Sequence, residues 1–319
     1  MKVLITGIGG FMGQYLSSYL VNKGHEVFGT YFTPTTSMSL LNNSKMYECD
    51  IRDRKKLERF VKKVCPDQVY HLAAQSLPTE SWIRPEYTFE TNVMGTFNIL
   101  ESVRHHSPNS KIFLACSSAE YGFVGENEVP VKEHHSLLPL HPYGISKVST
   151  DLLGYLYSQT YGLKIIRARI FNTTGPLKIN DVCSDFTRRV AEINKSLRKP
   201  RIRVGNLDSR RAITDVRDII RAFFSSMDET EELFGRAINY SGSKVYLVKD
   251  ILDIALSFSD KDIEIFVDDN LLRSKDEPII YGDSTILQET ISWNQEIDIR
   301  KTLEDMYTFW MKELEGRDE

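Results

Sequence analysis

Long hydrophobic runs are missing from this sequence: no apolar stretch approaches the ~20 residues that cross a bilayer, and the chain opens on a strand-like pattern rather than a signal sequence. We therefore expect a soluble, unexported, cytoplasmic protein with no membrane partner. Cysteine is scarce. The four, Cys49, Cys65, Cys116 and Cys183, are scattered without a Cys-x-x-Cys pair, and predict reduced thiols. A charge excess is missing too: 40 basic and 44 acidic residues are intermixed, for a net charge of −4, so no broad field draws nucleic acid or an anionic surface. Any anion must be held locally. Repeats, low-complexity tracts and disordered linkers are also absent.

What the sequence does hold begins at its N-terminus, where the apolar run Val3–Leu4–Ile5 breaks into Gly7, Gly10 and Gly13 before a periodic segment (Leu16, Tyr19, Leu20). This predicts strand, tight turn, helix. Glycine allows positive φ and close approach of a ligand, and a new helix offers free N–H groups and about half a positive charge, a seat for pyrophosphate. Further apolar strands follow at 25–30, 45–49, 68–74, 111–116 and 164–168, alternating with helices at 54–64, from Pro85 through Val103, and from Tyr143 through Leu156. Such alternation implies an α/β fold with a parallel sheet covered on both faces, and ligands beyond the carboxyl ends of its strands. With 319 residues we expect one large body or two closely joined domains. After Pro176 the alternation stops. Helices at 184–197, 216–227, 248–256 and 299–314 and strands at 201–204, 236–240 and 262–267 make a second, interleaved region.

Tyr143 and Lys147 stand four apart and share a helix side. A phenol titrates near ~10, and an adjacent ammonium is expected to lower that value. Ser117 ends a strand at the sheet edge where the glycine turn would hold a dinucleotide, so its hydroxyl can bond a carbonyl oxygen that Tyr143 protonates. The pairs His105–His106 and His134–His135 are not expected to bind metal, because adjacent residues rarely converge on one ion and no third ligand is spaced to help.

These residues sit within a wider set of motifs. They include Thr6–Gly7–Ile8–Gly9–Gly10–Phe11–Met12–Gly13, Asp50–Ile51, His71–Leu72–Ala73–Ala74, Thr91–Asn92–Val93, Ser117–Ser118 with Tyr121–Gly122, Pro142–Tyr143–Gly144–Ile145–Ser146–Lys147, and Phe171–Asn172. In them the sequence resembles, over essentially its full length, the extended short-chain dehydrogenase/reductases acting on nucleotide sugars. Gln75–Ser76 with Ser81–Trp82, Cys183–Ser184–Asp185–Phe186, Val204–Gly205–Asn206–Leu207–Asp208 and Thr214–Asp215–Val216–Arg217–Asp218 are most similar to reductases of GDP-linked 4-keto-6-deoxy sugars, and less to GDP-mannose 4,6-dehydratases.

The resemblance implies a Rossmann doubly wound parallel sheet with a smaller C-terminal α/β substrate domain. Residues 1–171 with about 213–241 would bind the dinucleotide, and 172–212 with 242–319 the nucleotide sugar. It implies that Gly7, Gly10, Phe11, Met12 and Gly13 hold the pyrophosphate, that Asp50 and Ile51 flank the adenine, and that Leu72, Ala73 and Ala74 line the nicotinamide side. Ser117, Tyr143 and Lys147 would be catalytic, with Tyr143 and Lys147 also on the cofactor and Lys147 on its ribose. Ser76, Ser118, Asn172, Val204, Asn206, Arg211 and Arg273 would hold the sugar nucleotide, the arginines at its diphosphate. A homodimer through the helices around 86–105 and 143–160 is implied as well.

Departures from the family pattern carry information. Ala212 and Ile213 stand where relatives carry an acid and an aromatic, Leu177 follows Gly175–Pro176 in place of glycine, and Ser274 replaces a proline. Ala119 stands where a dehydratase needs glutamate to move the C5 proton. The second strand ends in Thr30–Tyr31–Phe32, without the acid that would bind a free ribose 2′-hydroxyl and repel a 2′-phosphate. This favours NADP(H), with Thr30, Ser37 or Arg52 able to contact the phosphate, and leaves NAD(H) open. The reaction expected is NADPH-dependent reduction of the C4 ketone of a GDP-linked 4-keto-6-deoxy hexose. The alternative is a nucleotide-sugar 4-epimerase or 4,6-dehydratase with tightly bound cofactor.

Overall fold

The first apolar run becomes β1 (Lys2–Thr6), whose last four residues are buried. It is the middle of a sheet that grows in both directions. This computed structural model describes residues 1–33, 37–41, 43–268, 271 and 279–315. The central sheet adds β2 (Glu26–Tyr31), β3 (Lys45–Glu48), β4 (Gln68–His71), β5 (Lys111–Ser117), β6 (Lys164–Ile170) and β7 (Ala237–Tyr240). Its order is β7-β6-β5-β4-β1-β2-β3, and every pairing is parallel. The chain winds outward from β1 in opposite directions, so β1 and β4 part company at their carboxyl ends and leave a crevice there.

Helices cover both faces, as buried parallel strands require. On one face α1 (Phe11–Asn22) packs Leu16 and Leu20 in the same apolar cluster as Val3, Ile5 and Phe113. On the other, α2 (Arg54–Val64) and α3 (Gly95–His106) bury Leu57, Val61, Ile99 and Val103 against Leu4, Val69 and Ile112. The single long helix expected after Pro85 is instead a short helix, Pro85–Phe89, a π-helical turn, Glu90–Met94, and then α3.

The helix α4 (Pro142–Tyr161) starts on His141, whose ring nitrogen accepts the Gly144 N–H at 2.9 Å. Its apolar stripe does not face the sheet. Ile145, Leu152, Tyr155 and Leu156 are each about half exposed, while Gly144, Ser146, Lys147, Thr150, Asp151 and Gly154 are buried. Small residues let the helix lie close: a Cβ on Gly154 would come within 2.7 Å of Leu114 Cδ2. Glu101 on α3 ties the two helices, accepting from Tyr157 Oη at 2.9 Å and Arg104 Nε at 2.8 Å. The Arg104 hydrogen bond holds its carboxyl down at about 2. A depressed carboxyl stabilises the fold above its unfolded value and loses that contribution as pH falls through the folded one. Glu101→Gln should therefore cost about 1–2 kcal/mol at neutral pH, and wild type and variant should converge in urea titrations as pH falls from about 5 toward 2.

Beyond Pro176 a second lobe gathers α5 (Val182–Asn194), α7 (Val248–Leu256) and α8 (Ile299–Glu315) around Phe186, Val190, Ile251, Leu303 and Met306. The intervening helix α6 (Val216–Asp228) and the strand β7 return to the central sheet. The second lobe carries a parallel pair, Arg201–Val204 with Glu264–Val267. A three-stranded patch, Val245–Leu247, Arg210–Ala212 and Ile279–Ile280, completes it. These last strands, and the helix Thr285–Ile291, are too short to leave a period in the sequence.

Candidate active site

At the end of β1 the backbone turns through Gly7 with φ at +73°, and its N–H, like that of Ile8, donates to Thr30 O of β2. A Cβ on Gly7 would lie 2.8 Å from the Ala73 backbone, and one on Gly13 2.3 Å from Gly7 O. Side chains are thereby kept out of the turn. Gly10 begins α1 with no side-chain cap, and no acid occupies the first turn, so the positive helix end is open to an anion. Thr30 Oγ1 is buried without a hydrogen-bond partner at the end of β2. Cradle and orphaned hydroxyl both fit a dinucleotide laid across β1 and β2.

The far wall of the crevice is set by a chain of hydroxyls that the sequence did not reveal. Thr96 Oγ1 donates to Asn92 O at 2.6 Å, so it accepts from His71 Nε2 at 3.1 Å; His71 Nδ1 then accepts from Thr6 Oγ1 at 2.7 Å. Thr6 Oγ1 in turn accepts the Ala73 N–H at 3.3 Å, which fixes Leu72–Ala73–Ala74 beside the glycine turn. Burial drives His71 down to about 3, so the imidazole is neutral and the chain runs one way. Asn92, in the π-helical turn, accepts the Gln75 N–H at 2.8 Å and donates to Gln75 O at 3.0 Å and Ser146 Oγ at 2.9 Å. Ser146 reaches Tyr143 O at 2.7 Å. The motif Thr91–Asn92–Val93 was the signal for this clamp, and its role emerges only in three dimensions.

Ser117 closes β5 and Tyr143 lies in the first turn of α4, and the Ser117 hydroxyl, which accepts the Ala119 N–H at 3.2 Å, is near enough to the phenol to influence it. Lys147 is buried, donates from Nζ to Ala115 O at 2.7 Å, and lies 5.9 Å from the centre of the Tyr143 ring. Its charge does not lower the phenol as the i, i+4 spacing led us to expect. Burial pushes Tyr143 up to about 12, with the nearby Ser117 hydroxyl as the opposing influence, and burial lowers Lys147. A phenol in that state is a proton donor.

The other expected ligands divide by lobe. Ser118 follows Ser117 in the same half-buried turn, Ser76 is exposed beyond β4, and Asn172 is exposed beyond β6, its carbonyl taking the Thr214 N–H at 3.0 Å. Val204, Asn206 and Arg211 belong to the second lobe: Val204 is buried, Asn206 accepts from Asp208 N, and Arg211 lies on a paired strand. Arg273 and Ser274 fall outside the described residues. Ile51 is buried, its side chain under Gly95, while Asp50 holds Arg52 through a 2.6 Å ion pair. Arg52 also reaches Glu90 at 3.3 Å, so its charge is already matched and it is a poor 2′-phosphate ligand. Among the departures, Ala212 and Ile213 are core positions, and Leu177 is buried with φ at +72°, a left-handed conformation that suits the glycine of relatives. Next to it, Lys178 Nζ sits 5.1 Å over the Phe11 ring, at the mouth of the glycine turn. Among the described residues, one group of metal-type side chains clusters, Cys116, Glu120 and Asp151, and it includes no histidine.

A parallel sheet with a glycine turn after its first strand, and a serine, a tyrosine and a buried lysine gathered at its carboxyl edge, is the arrangement of the extended short-chain dehydrogenase/reductases, and this protein is an NAD(P)-dependent enzyme of that class. Residues 4–306 match the GDP-mannose 4,6 dehydratase family, and the chain belongs to it. It is 26% identical over 310 residues to GDP-6-deoxy-D-mannose reductase of Pseudomonas aeruginosa, covering 97% of each chain. It is 27% identical over 351 residues to GDP-mannose 4,6-dehydratase of Vibrio cholerae, covering 95% of this chain and 91% of that one. The structure of RMD from Pseudomonas aeruginosa complexed with NADPH superposes with a TM-score of 0.85 at 24% identity, covering 98% of this chain and 99% of that one. Two different reactions lie at nearly equal distance, so the residues of the site must choose between them. No helix among the described residues is long and apolar enough to cross a membrane.

Proposed function

We propose that the protein reduces the C4 ketone of a GDP-linked 4-keto-6-deoxy hexose with NADPH. The observation that carries this reading is the turn after β5. Position 119 is alanine, and the neighbouring Glu120 is turned wholly into the core, so Ser117–Tyr121 offers the crevice no carboxylate to move a C5 proton. Dehydration lacks its base there.

When bound, NADPH supplies the hydride that adds to C4. Tyr143 gives its hydroxyl proton to the ketone oxygen, Ser117 holds that oxygen as it becomes an alkoxide, and Lys147 holds the ribose. A donor phenol suits reduction. The reductive rate should hold through neutral pH, while the reverse oxidation, which needs the phenolate, should rise with pH. On the cofactor, Gly7, Gly10, Phe11, Met12 and Gly13 take the pyrophosphate, and Thr30, with no acid beside it, leaves room for a 2′-phosphate. The nucleotide sugar is held by Ser76, Ser118 and Asn172 beside the central sheet and by Val204, Asn206 and Arg211 of the second lobe, with Arg273 a further diphosphate ligand by residue type, so that 172–212 with 242–319 form its domain. A deuteride-labelled NADPH should yield a sugar product one mass unit heavier, labelled at C4. Label that stays on the cofactor contradicts the reading.

The dehydratase and epimerase alternative draws on the Vibrio relative and predicts no net cofactor consumption. We also assign a homodimer. Its support is the outward apolar stripe of α4 together with Met94, about half exposed in the π-helical turn. Leu156→Glu should turn a wild-type dimer into a monomer in sedimentation; a monomeric wild type overturns the assignment.

A further inference from the structure

Directly beneath Ser117 lies a carboxyl group that the reaction described above does not use. Glu120 is fully buried, and its Oε1 accepts the Ser117 N–H at 2.8 Å. Its Oε2 has no hydrogen-bond partner. The nearest cation is Arg169, whose Nε lies 3.4 Å away, but that guanidinium is committed elsewhere. Its Nε donates to Asp151 Oδ2 at 2.9 Å, and its Nη1 to Tyr121 Oη at 3.0 Å and Glu133 O at 2.8 Å. Arg167 also goes to Asp151. Asp151 thus holds two guanidinium groups by hydrogen bonds, and Glu120 holds none.

The arrangement is unstable for a charged Glu120. A buried carboxylate with an empty oxygen loses its hydration without replacement, and a second carboxylate nearby adds repulsion. Oxygens of Glu120 and Asp151 and Cys116 Sγ all lie within 4.8 Å of one another. A proton on Oε2 removes the charge and its repulsion with Asp151. The titratable and charged groups around it are Cys116 at the end of β5, Tyr121 in the following turn, Tyr143, Lys147 and Asp151 on α4, and Arg167 and Arg169 on β6. Burial and the Asp151 charge push the Glu120 carboxyl well up from its ordinary value, with Arg169 opposing.

We propose that Glu120 is a positioning residue that holds a proton at neutral pH, locking the Ser117 backbone while keeping negative charge away from Tyr143 and Lys147. The proposal rests on Ser117, Tyr143 and Lys147 being the catalytic set. When Glu120 loses its proton, the new charge makes Tyr143 harder to ionise and Lys147 easier to protonate, the directions in which it already acts on both. Tyr143 then becomes a weaker acid, and reduction slows.

Two measurements on the full-length protein test this. Infrared difference spectra of wild type against Glu120→Gln at neutral pH should contain the carbonyl band of a protonated carboxylic acid, lost as pH rises. Absence of that band overturns the proposal. In pH profiles of kcat with NADPH and the keto sugar, wild type should show an alkaline limb falling about tenfold. Glu120→Gln, which copies the neutral acid, should flatten that limb, and Glu120→Asp should restore it. Identical profiles in wild type and Glu120→Gln would reduce Glu120 to a structural cap and overturn its effect on Tyr143. If the band is present but the keto sugar is not reduced, the proton assignment is supported and the reductase reading is the one that fails.

Discussion

Tyr143→Phe is expected to lower turnover of the keto sugar by about 10²–10⁴-fold while leaving the fold and dinucleotide affinity close to wild type. The phenyl ring fills the same half-buried site on α4, and what disappears is the hydroxyl beside Ser117. Backbone contacts that position the turn do not depend on it: Ser146 bonds Tyr143 O, and Asn92 bonds Ser146. The loss should therefore appear in kcat with little change in KM, as for a group that acts in the transition state. Single-turnover kinetics with nicotinamide fluorescence would separate the two. Near-normal turnover in the variant would mean that another group protonates the alkoxide.

The glycine turn predicts opposite outcomes for two residues four apart. A Cβ at Gly13 meets Gly7 O at 2.3 Å, Ile8 Cα at 2.8 Å and Ile8 O at 2.9 Å, all backbone atoms of the same tight turn. None can swing away as a side chain could. Gly13→Ala should cost about 1–3 kcal/mol of stability and push α1 off the turn. Dinucleotide affinity should fall at least about tenfold, since 1.4 kcal/mol of lost interaction suffices for that. At Gly9 the added Cβ would find only Met38 Sδ at 3.5 Å and Tyr31 Cβ at 3.6 Å, ordinary contact distances. Gly9→Ala should bind dinucleotide much as wild type does. Calorimetric titration with NADPH and thermal melts of both variants check the contrast, and equal losses in the two would remove the cradle from the account.

How much of this was legible in the sequence depends on how local each cause is. The strands of the central sheet stood out because parallel strands buried on both faces leave continuous apolar runs, and the glycine spacing marked the turn that follows β1. The placement of Ser117 at a strand end and of Tyr143 and Lys147 on one helix was also readable, since a strand end and a helical i, i+4 spacing are local geometry. What the sequence could not carry was direction and burial. The letters of α4 show an apolar stripe but not which side meets the sheet, and the buried side is the small and polar one, because glycines and Ser146 admit the helix close to the sheet. The i, i+4 rule suggested that Lys147 lowers Tyr143, whereas burial raises it, and burial is set by the whole fold. Arg52 looked available until Asp50, two residues away, was found to hold it. In Ala119–Glu120 the letters leave a carboxylate next to the vacant position, and only the three-dimensional turn sends it into the core.

The most direct test is the absorbance of reduced nicotinamide on mixing the purified protein with NADPH and GDP-4-keto-6-deoxy-mannose, with NADH and GDP-mannose in parallel. The account predicts loss of NADPH in one-to-one proportion to keto sugar consumed, a slower loss with NADH, and none with GDP-mannose. Conversion of GDP-mannose or another nucleotide sugar with no net loss of NADPH would contradict it and assign the protein to the dehydratase or epimerase branch of its family.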